Sequence, residues 1–147
     1  MAYAALLSGI TLAQVGLGSV HGLASPLGAF FPIPHGIACG TLVAAASEIN
    51  ITSMQAREPN NPALTKYAHV AEILCQQHFT THQTAYEALL STLTSWTQEL
   101  ALPCLSHYGL QHDQLDRVIA NCRGSSMKTN PIVLIDEEIR QIMLMRL

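Results

Sequence analysis

The chain has 147 residues, of which 49% are hydrophobic and only 12% are charged, and its net charge is −3. This length is sufficient for one domain with its own core. The small net charge, without a Lys/Arg cluster to neutralise phosphates, excludes a nucleic-acid-binding protein. The charged fraction is about half the usual ~25%, which predicts that much of the chain is buried against another protein.

The region from Met1 to Ser47 contains no Lys, Arg, Asp or Glu. No basic residue precedes its apolar run, which disfavours a signal peptide. A membrane-spanning helix needs about 20 predominantly apolar residues, and glycines, Gln14, Ser19 and His21 interrupt every such window here. We therefore expect buried core in contact with other protein, and no membrane segment.

Three helices are predicted in this region. Ala2–Val15 lacks proline and has apolar residues on nearly every face, which predicts a helix buried on all sides. Glycines end it, and Ser19 is expected to cap a second helix, which Pro26 could kink. A third is predicted from Pro34, in its first turn, to about Asn50.

The remaining two thirds of the chain also shows helical periodicity. Residues 50–61 are predicted to form a polar connection, and Asn61-Pro62 to cap and open a fourth helix. Thr84 is expected to cap a fifth helix that places Trp96 and the nearby leucines in the core. A short helix from Asp113, a connecting loop over 124–131 and a final helix from Asp136 are predicted next. Because no segment has an alternating strand pattern, the predicted fold class is all-α, an irregular helical bundle.

Two histidines, His21 and His35, lie fourteen residues apart in the uncharged region. On one continuous helix they would be about 21 Å apart, at ~1.5 Å per residue, which is too far for one metal ion. Pro and Gly residues between them allow the chain to fold back, and neutral imidazoles suit Fe(II) or Zn(II). The sequence therefore predicts two short buried helices that meet at two imidazoles. The alternative is a pair of ordinary buried, hydrogen-bonded histidines.

The segment around these histidines resembles the metal-binding signature of the iron-containing (group III) alcohol dehydrogenases. The resemblance is carried by a glycine-rich entry followed by three short motifs, Val20-His21-Gly22, Pro26-Leu27-Gly28-Ala29 and Pro34-His35-Gly36. It continues more weakly through Asn130-Pro131 and the helix that starts at Asp136. The resemblance spans essentially this whole chain, but only the later part of a family member.

This resemblance implies an NAD- or NADP-dependent oxidoreductase that interconverts an alcohol and an aldehyde or ketone, with Fe²⁺ or Zn²⁺ as Lewis acid. His21 and His35 match the last two of the family's four metal ligands, whereas the Asp and the first His lie upstream of the matched part. The implied fold is the C-terminal helical domain of the dehydroquinate synthase-like and iron-containing alcohol dehydrogenase fold. Residues 1–147 would then be a single, incomplete metal-binding domain that lacks the N-terminal dinucleotide-binding domain.

Ser25 departs from the family pattern, because many members have a histidine at this position, four residues after the first signature histidine. Serine can pass on a hydrogen bond but cannot serve as a base near neutral pH. No catalytic residue is therefore assigned, and the cofactor-binding residues remain unknown.

The other histidines are interpreted as non-ligands. His78 and His82 have helical ligand spacing, but a solvated helix terminus is the favoured interpretation. His69, His107 and His112 have no partner at ligand spacing and are expected to be surface or interior hydrogen-bonding groups.

The chain has four cysteines, Cys39, Cys75, Cys104 and Cys122, and no two of them form a Cys-x-x-Cys pair. Their apolar neighbours predict reduced, packed thiols in a cytoplasmic protein.

Three functional hypotheses follow. In the first, the chain is part of such a dehydrogenase, inactive alone because it has half the metal ligands and no glycine-rich phosphate-binding loop. Its partners would be the missing N-terminal domain, an alcohol or aldehyde substrate, and further copies that cover surface left exposed. In the second, it is a non-catalytic helical interaction module that retains the histidine motif as a structural relic. The third, a membrane-associated helical protein, predicts a dependence on detergent.

Overall fold

The computed structural model of the chain describes residues 2–147 and no others. Those residues form α-helices and two short 3₁₀ helices, without a strand, which confirms the predicted all-α fold. The α-helices are α1 (Ala2–Val15), α2 (Ser19–Phe30), α3 (His35–Arg57), α4 (Pro62–Cys75), α5 (His82–Glu99), α6 (Leu115–Asn121), α7 (Ser125–Lys128) and α8 (Asp136–Leu144), and the 3₁₀ helices are Leu105–Tyr108 and His112–Gln114.

The centre of the bundle is α3, which packs against α2, α4, α5 and α8. Its inward positions carry small or flexible apolar side chains such as Ala38, Leu42, Ala45 and Met54, all buried. Small residues allow neighbouring helices to approach closely, so one 23-residue helix can contact four others. By length and composition α3 could also cross a bilayer, but 56% of the apolar window is already buried inside this fold.

The predicted end of α3 at about Asn50 was wrong, because the helix continues to Arg57. Asn50 is a buried polar residue whose amide is hydrogen-bonded to other elements, and Ile51 and Met54 continue the buried face. The polar connection is therefore only residues 58–61. At the other end, Pro34 is the residue before the helix and not part of its first turn.

Helix α4 begins as predicted, since Asn61 Oδ1 accepts a hydrogen bond of 2.9 Å from the Ala63 N–H. The predicted cap of α5 was wrong by three residues. Thr81 is the cap, and its hydroxyl accepts from the Thr84 N–H at 3.2 Å, so the helix starts at His82.

Trp96 was expected in the core, but 43% of its surface is exposed. At this end of α5 the buried residue is Thr97, in line with half-buried Leu93 four residues earlier. Trp96 is rotated about 100° from Thr97 around the helix and so points toward solvent. The leucine prediction holds for Leu89, which is buried, but not for Leu100, which is exposed.

The C-terminal part is close to prediction. A 3₁₀ turn over His112–Gln114 leads into α6, and α8 starts at Asp136 with three acidic residues in its first turn. The predicted loop over 124–131 contains one helical turn, Ser125–Lys128, which is α7.

Helix α1 forms over the predicted residues, but the prediction that it is buried on all sides was wrong. None of its residues is buried, and Tyr3, Leu6 and Val15 are largely exposed. It meets α2 at a bend of 91° and lies outside the packed bundle. The reason is that nothing else in residues 2–147 covers it.

Candidate metal centre

The chain folds back between α2 and α3 and brings His21 and His35 together. Phe31 leaves α2 in an extended conformation, and Pro34 precedes α3 with its φ at −59°. The centroids of the two imidazole rings are 5.2 Å apart, with their planes tilted by 54°. This separation is far below the roughly 21 Å of a continuous helix and is within the reach of one shared ion.

A third ligand type, the thiol of Cys39, lies beside both rings. Its Sγ atom is 3.7 Å from Nε2 of His21 and 3.5 Å from Nε2 of His35. The ligand atoms of the three residues all lie within 4.8 Å of one another. Sequence reasoning missed Cys39 by treating it as a packed thiol, although its i, i+4 spacing from His35 places both on one helix face.

The site opens to the surface, which corrects the expectation of two buried imidazoles. His35 is exposed, whereas His21 and Cys39 are half-buried. Partial burial and then the neighbouring His35 lower the pKa of His21, so its imidazole is neutral at physiological pH and has a lone pair for a metal. Burial raises the pKa of the Cys39 thiol, which is protonated unless a cation binds.

Asn130 fixes the start of α2. Its Oδ1 accepts a 2.9 Å hydrogen bond from the Ser19 N–H, and its Nδ2 donates to Asn50 Oδ1 on α3 at 2.8 Å. Ser19, predicted as the cap, is instead the first helical residue after Gly18. A side chain 111 residues away thus provides the hydrogen-bond acceptor for a free N–H group at the start of α2. The same side chain links α2 to α3, and these two helices carry the two histidines.

Gly22 allows α2 to lie close to the segment that follows α6. A Cβ atom at this position would be 2.9 Å from Cε of Met127 and 3.2 Å from the backbone oxygen of Cys122. Because backbone yields less readily than a flexible side chain, the contact with the Cys122 oxygen favours glycine at the position next to His21. The Val-His-Gly motif therefore combines one candidate ligand with one packing residue.

The far half of α3 is attached to α8 through Glu138. Its carboxylate accepts hydrogen bonds from Ser53 Oγ at 2.6 Å, from Arg57 Nη2 at 2.7 Å and from the Ile135 N–H at 2.8 Å. Burial opposes ionisation, but these bonds outweigh it and lower the pKa of Glu138 below its ordinary value. A charged Glu138 therefore stabilises the attachment of α8 to α3.

The remaining histidines do not join this cluster. His78 follows the end of α4 and His82 opens α5, so they do not share a helix, and His78 Nδ1 lies 3.0 Å from Glu72 Oε1. The pKa of Glu72 is lowered chiefly by the hydrogen bond with His78. His69, also beside Glu72, is exposed, as are His107 and His112.

Ser25 is exposed on α2, one turn after His21. The cysteines in the described residues are free thiols, as expected, although Cys104 is exposed where a packed thiol was predicted.

The donor set fits a divalent transition metal. Two imidazole nitrogens and one thiol sulfur converge from two helices, and all three are ligands that Zn(II) and related ions accept.

The whole chain, residues 1–147, matches the family described as "Fe-containing alcohol dehydrogenase family, C-terminal". The protein belongs to this family, which confirms the resemblance seen in the sequence.

Comparisons with individual proteins agree with this family assignment. The chain is 30% identical over 145 residues to alcohol dehydrogenase 4 of Schizosaccharomyces pombe, covering 97% of this chain and 31% of that protein. It is 30% identical over 105 residues to 1,3-propanediol dehydrogenase of Klebsiella pneumoniae, covering 70% and 24%. The crystal structure of a 1,3-propanediol oxidoreductase superposes with a TM-score of 0.83 at 25% identity, covering 99% of this chain and 37% of the other. The chain thus spans about a third of the length of these oxidoreductases.

Proposed function

We propose that this chain is the metal-binding helical part of an oxidoreductase that interconverts an alcohol and an aldehyde or ketone with NAD or NADP. The observation that carries the proposal is the meeting of His21 and His35, from α2 and α3, at 5.2 Å between ring centroids. The matched relatives are named alcohol dehydrogenase, 1,3-propanediol dehydrogenase and lactaldehyde reductase, which supports this reaction class.

The two imidazoles would hold Fe(II) or Zn(II), and such a metal supplies Lewis-acid polarisation of the substrate oxygen. The chain itself positions the helices that carry the ligands. Asn130 fixes the start of α2, and Gly22 seats that helix against its neighbours. Ser25, one turn from His21 and exposed, is able to orient a hydroxyl group by hydrogen bonding but not to remove its proton at neutral pH.

The nicotinamide cofactor would be held by a further N-terminal domain, and the other two metal ligands, an Asp and a His, by an earlier helix upstream of the matched part. The open position of His35 fits this arrangement, because a site shared between two parts is exposed in one part alone. We also propose that the intact protein is cytoplasmic. We expect the isolated chain to be inactive and to self-associate through the apolar surface of α1.

The test has two arms. Purified chain is assayed for NAD(P)-linked oxidation of alcohols with added Fe(II) or Zn(II), and we expect no turnover, so robust turnover by the chain alone would refute the inactivity. Zn(II) uptake is then measured for the wild type, His21→Ala and the control His112→Ala, which removes an exposed histidine outside the cluster. The His21 variant should lose uptake, and the control should retain it.

The second candidate function is a non-catalytic interaction module, and the apolar helix α1, none of whose residues is buried, is the observation that favours it. Here the two histidines would only pack and hydrogen-bond. His21→Ala would then change stability without changing metal uptake, which is the opposite of the result expected above.

A further inference from the structure

We propose that Cys39 is a third metal ligand, so that these 147 residues contain a His₂Cys site for Zn(II). This inference rests on the proposed metal-binding function and deepens it, because it names a ligand and the preferred ion. It also changes one expectation from the sequence, in which the chain has only half of the metal ligands.

The placement of Cys39 follows from the helix geometry. His35 opens α3, and Cys39 lies four residues later on the same face, directly above it in the next turn. His21 reaches the same point from α2. Ligand atoms from two helices that are packed together thus converge without any rearrangement of the backbone.

The two sulfur–nitrogen distances match those of a tetrahedral zinc site. With Zn–S of about 2.3 Å and Zn–N of about 2.0–2.1 Å, two ligand atoms at the tetrahedral angle lie about 3.5–3.6 Å apart for sulfur and nitrogen. The observed distances from Cys39 Sγ are 3.5 Å to His35 Nε2 and 3.7 Å to His21 Nε2. All ligand atoms lie within 4.8 Å of one another, and a tetrahedral site needs about 3.3–3.4 Å between the two nitrogens.

The chemistry favours Zn(II) over Fe(II). A thiolate is a soft ligand, and the stability order of divalent ions places Zn(II) above Fe(II) at nitrogen and sulfur sites. When the ion binds, the Cys39 S–H bond gives way to a sulfur–metal bond and the proton is released to the buffer. Three ligands from this chain would leave coordination positions for the ligands that the rest of the protein supplies.

The other cysteines differ from Cys39 in their surroundings. Cys75 Sγ lies 3.6 Å from the Thr92 hydroxyl, Cys122 donates to the Ile119 carbonyl at 3.2 Å, and Cys104 is exposed. Within the described residues, only Cys39 belongs to a group of three potential ligands. Cys104→Ser is therefore a matched control, because it removes a thiol without touching the cluster.

The experiment titrates the purified chain with Co(II), as a spectroscopic stand-in for Zn(II), and with Zn(II) by calorimetry in two buffers of different ionisation enthalpy. The wild type and Cys104→Ser should show a thiolate-to-cobalt charge-transfer band and release of one proton per bound ion from a thiol. Cys39→Ser should lose the band and that proton and bind at least about 10-fold more weakly. His21→Ala should lose binding, and Fe(II) should bind the wild type more weakly than Zn(II).

A second measurement needs no variant and so does not depend on the folding of one. The wild-type chain is alkylated with iodoacetamide with and without Zn(II), and each cysteine is quantified by mass spectrometry. Zn(II) should protect Cys39 and leave exposed Cys104 unprotected.

The outcomes separate the two proposals. If the wild type binds without the charge-transfer band, Zn(II) leaves Cys39 alkylation unchanged, and His21→Ala abolishes binding, the Cys39 assignment is overturned while the histidine metal site stands. If the wild type binds no metal, the Cys39 assignment is overturned, because three ligands in this chain should hold an ion. If His21→Ala binds metal as the wild type does, both proposals are overturned.

Discussion

Helices α1 and α3 are both largely apolar, and α1 is the more apolar of the two, but their environments are opposite. Residues 2–15 carry no charge, and α3 has only Glu48 and Arg57 as charged residues in 23. Nevertheless, none of α1 is buried, whereas ten residues of α3 are. The difference lies in the surroundings, since α3 has four packed neighbours and α1 lies outside the bundle.

An apolar composition therefore indicates that a helix needs another surface to cover it, but it does not indicate which surface that is. An apolar face stabilises a fold only when another surface removes it from water. For α3 that surface belongs to this chain. For α1 it has to come from elsewhere, either from a further part of the protein or from another copy.

The largest expected effect compares matched leucine truncations in the two helices. Leu42→Ala in α3 removes a side chain that is 0% exposed and should lower the free energy of unfolding by about 2–5 kcal/mol. Leu6→Ala in α1, where the leucine is 60% exposed, should change it by less than about 0.5 kcal/mol. Urea denaturation at low protein concentration measures both, and equal losses would contradict the contrast.

A pair of glycine substitutions should give the next largest effect. Gly22→Ala places a methyl group against Met127 and the Cys122 backbone and should destabilise the chain by about 1–3 kcal/mol. Gly9→Ala in α1 meets nothing within 4 Å and should raise helix stability by up to about 1 kcal/mol. Thermal unfolding of the two variants should therefore shift in opposite directions, and a stabilising Gly22→Ala would be inconsistent with the described packing.

The attachment of α3 to α8 should depend on pH. The pKa of Glu138 is lower in the folded state, so its stabilisation is present above the unfolded pKa of about 4.3 and is lost as the pH falls through the folded value. Glu138→Gln should cost about 1–2 kcal/mol near pH 7, and the difference from wild type should shrink in acid. Glu137→Gln, at a largely exposed carboxylate, is the control. A difference that does not change with pH would show that the charge of Glu138 is not the stabilising factor.

The smallest effect on unfolding should come from charges placed on α1, although the effect on association should be clear. The wild type should form oligomers whose mass rises with concentration in light scattering. The double variant Leu6→Glu/Ile10→Glu should be monomeric, because it places two charges on the exposed apolar surface. Ser8→Glu/Gln14→Glu adds the same charge while leaving both apolar side chains, and it should still associate. A strictly monomeric wild type at high concentration would contradict this expectation.

The sequence predicted the helices best where a local signal marks an end. Asn61 and Pro62 define the start of α4, and Asp136 that of α8, because caps and first-turn residues act within a few positions. The end of α3 was missed because Asn50 is polar yet buried, and its partner Asn130 is 80 residues away. No local pattern contains such a long-range hydrogen bond.

At the candidate site, too, local sequence signals were informative and long-range contacts were not predicted. The family motif identified His21 and His35, and the proline and glycine breaks indicated that the chain folds back between them. The i, i+4 spacing of His35 and Cys39 was present in the sequence, but it became informative only when α2 placed His21 beside both. The exposure of His35, like that of α1, could not be predicted, because it depends on which surfaces are in contact.

The most direct test of the metal site is anomalous X-ray diffraction at the zinc absorption edge from crystals of the chain grown with Zn(II). We expect one strong anomalous peak about 2.0–2.1 Å from a ring nitrogen of His21 and of His35. Crystals that contain bound zinc elsewhere, with no peak between these two rings, would contradict it.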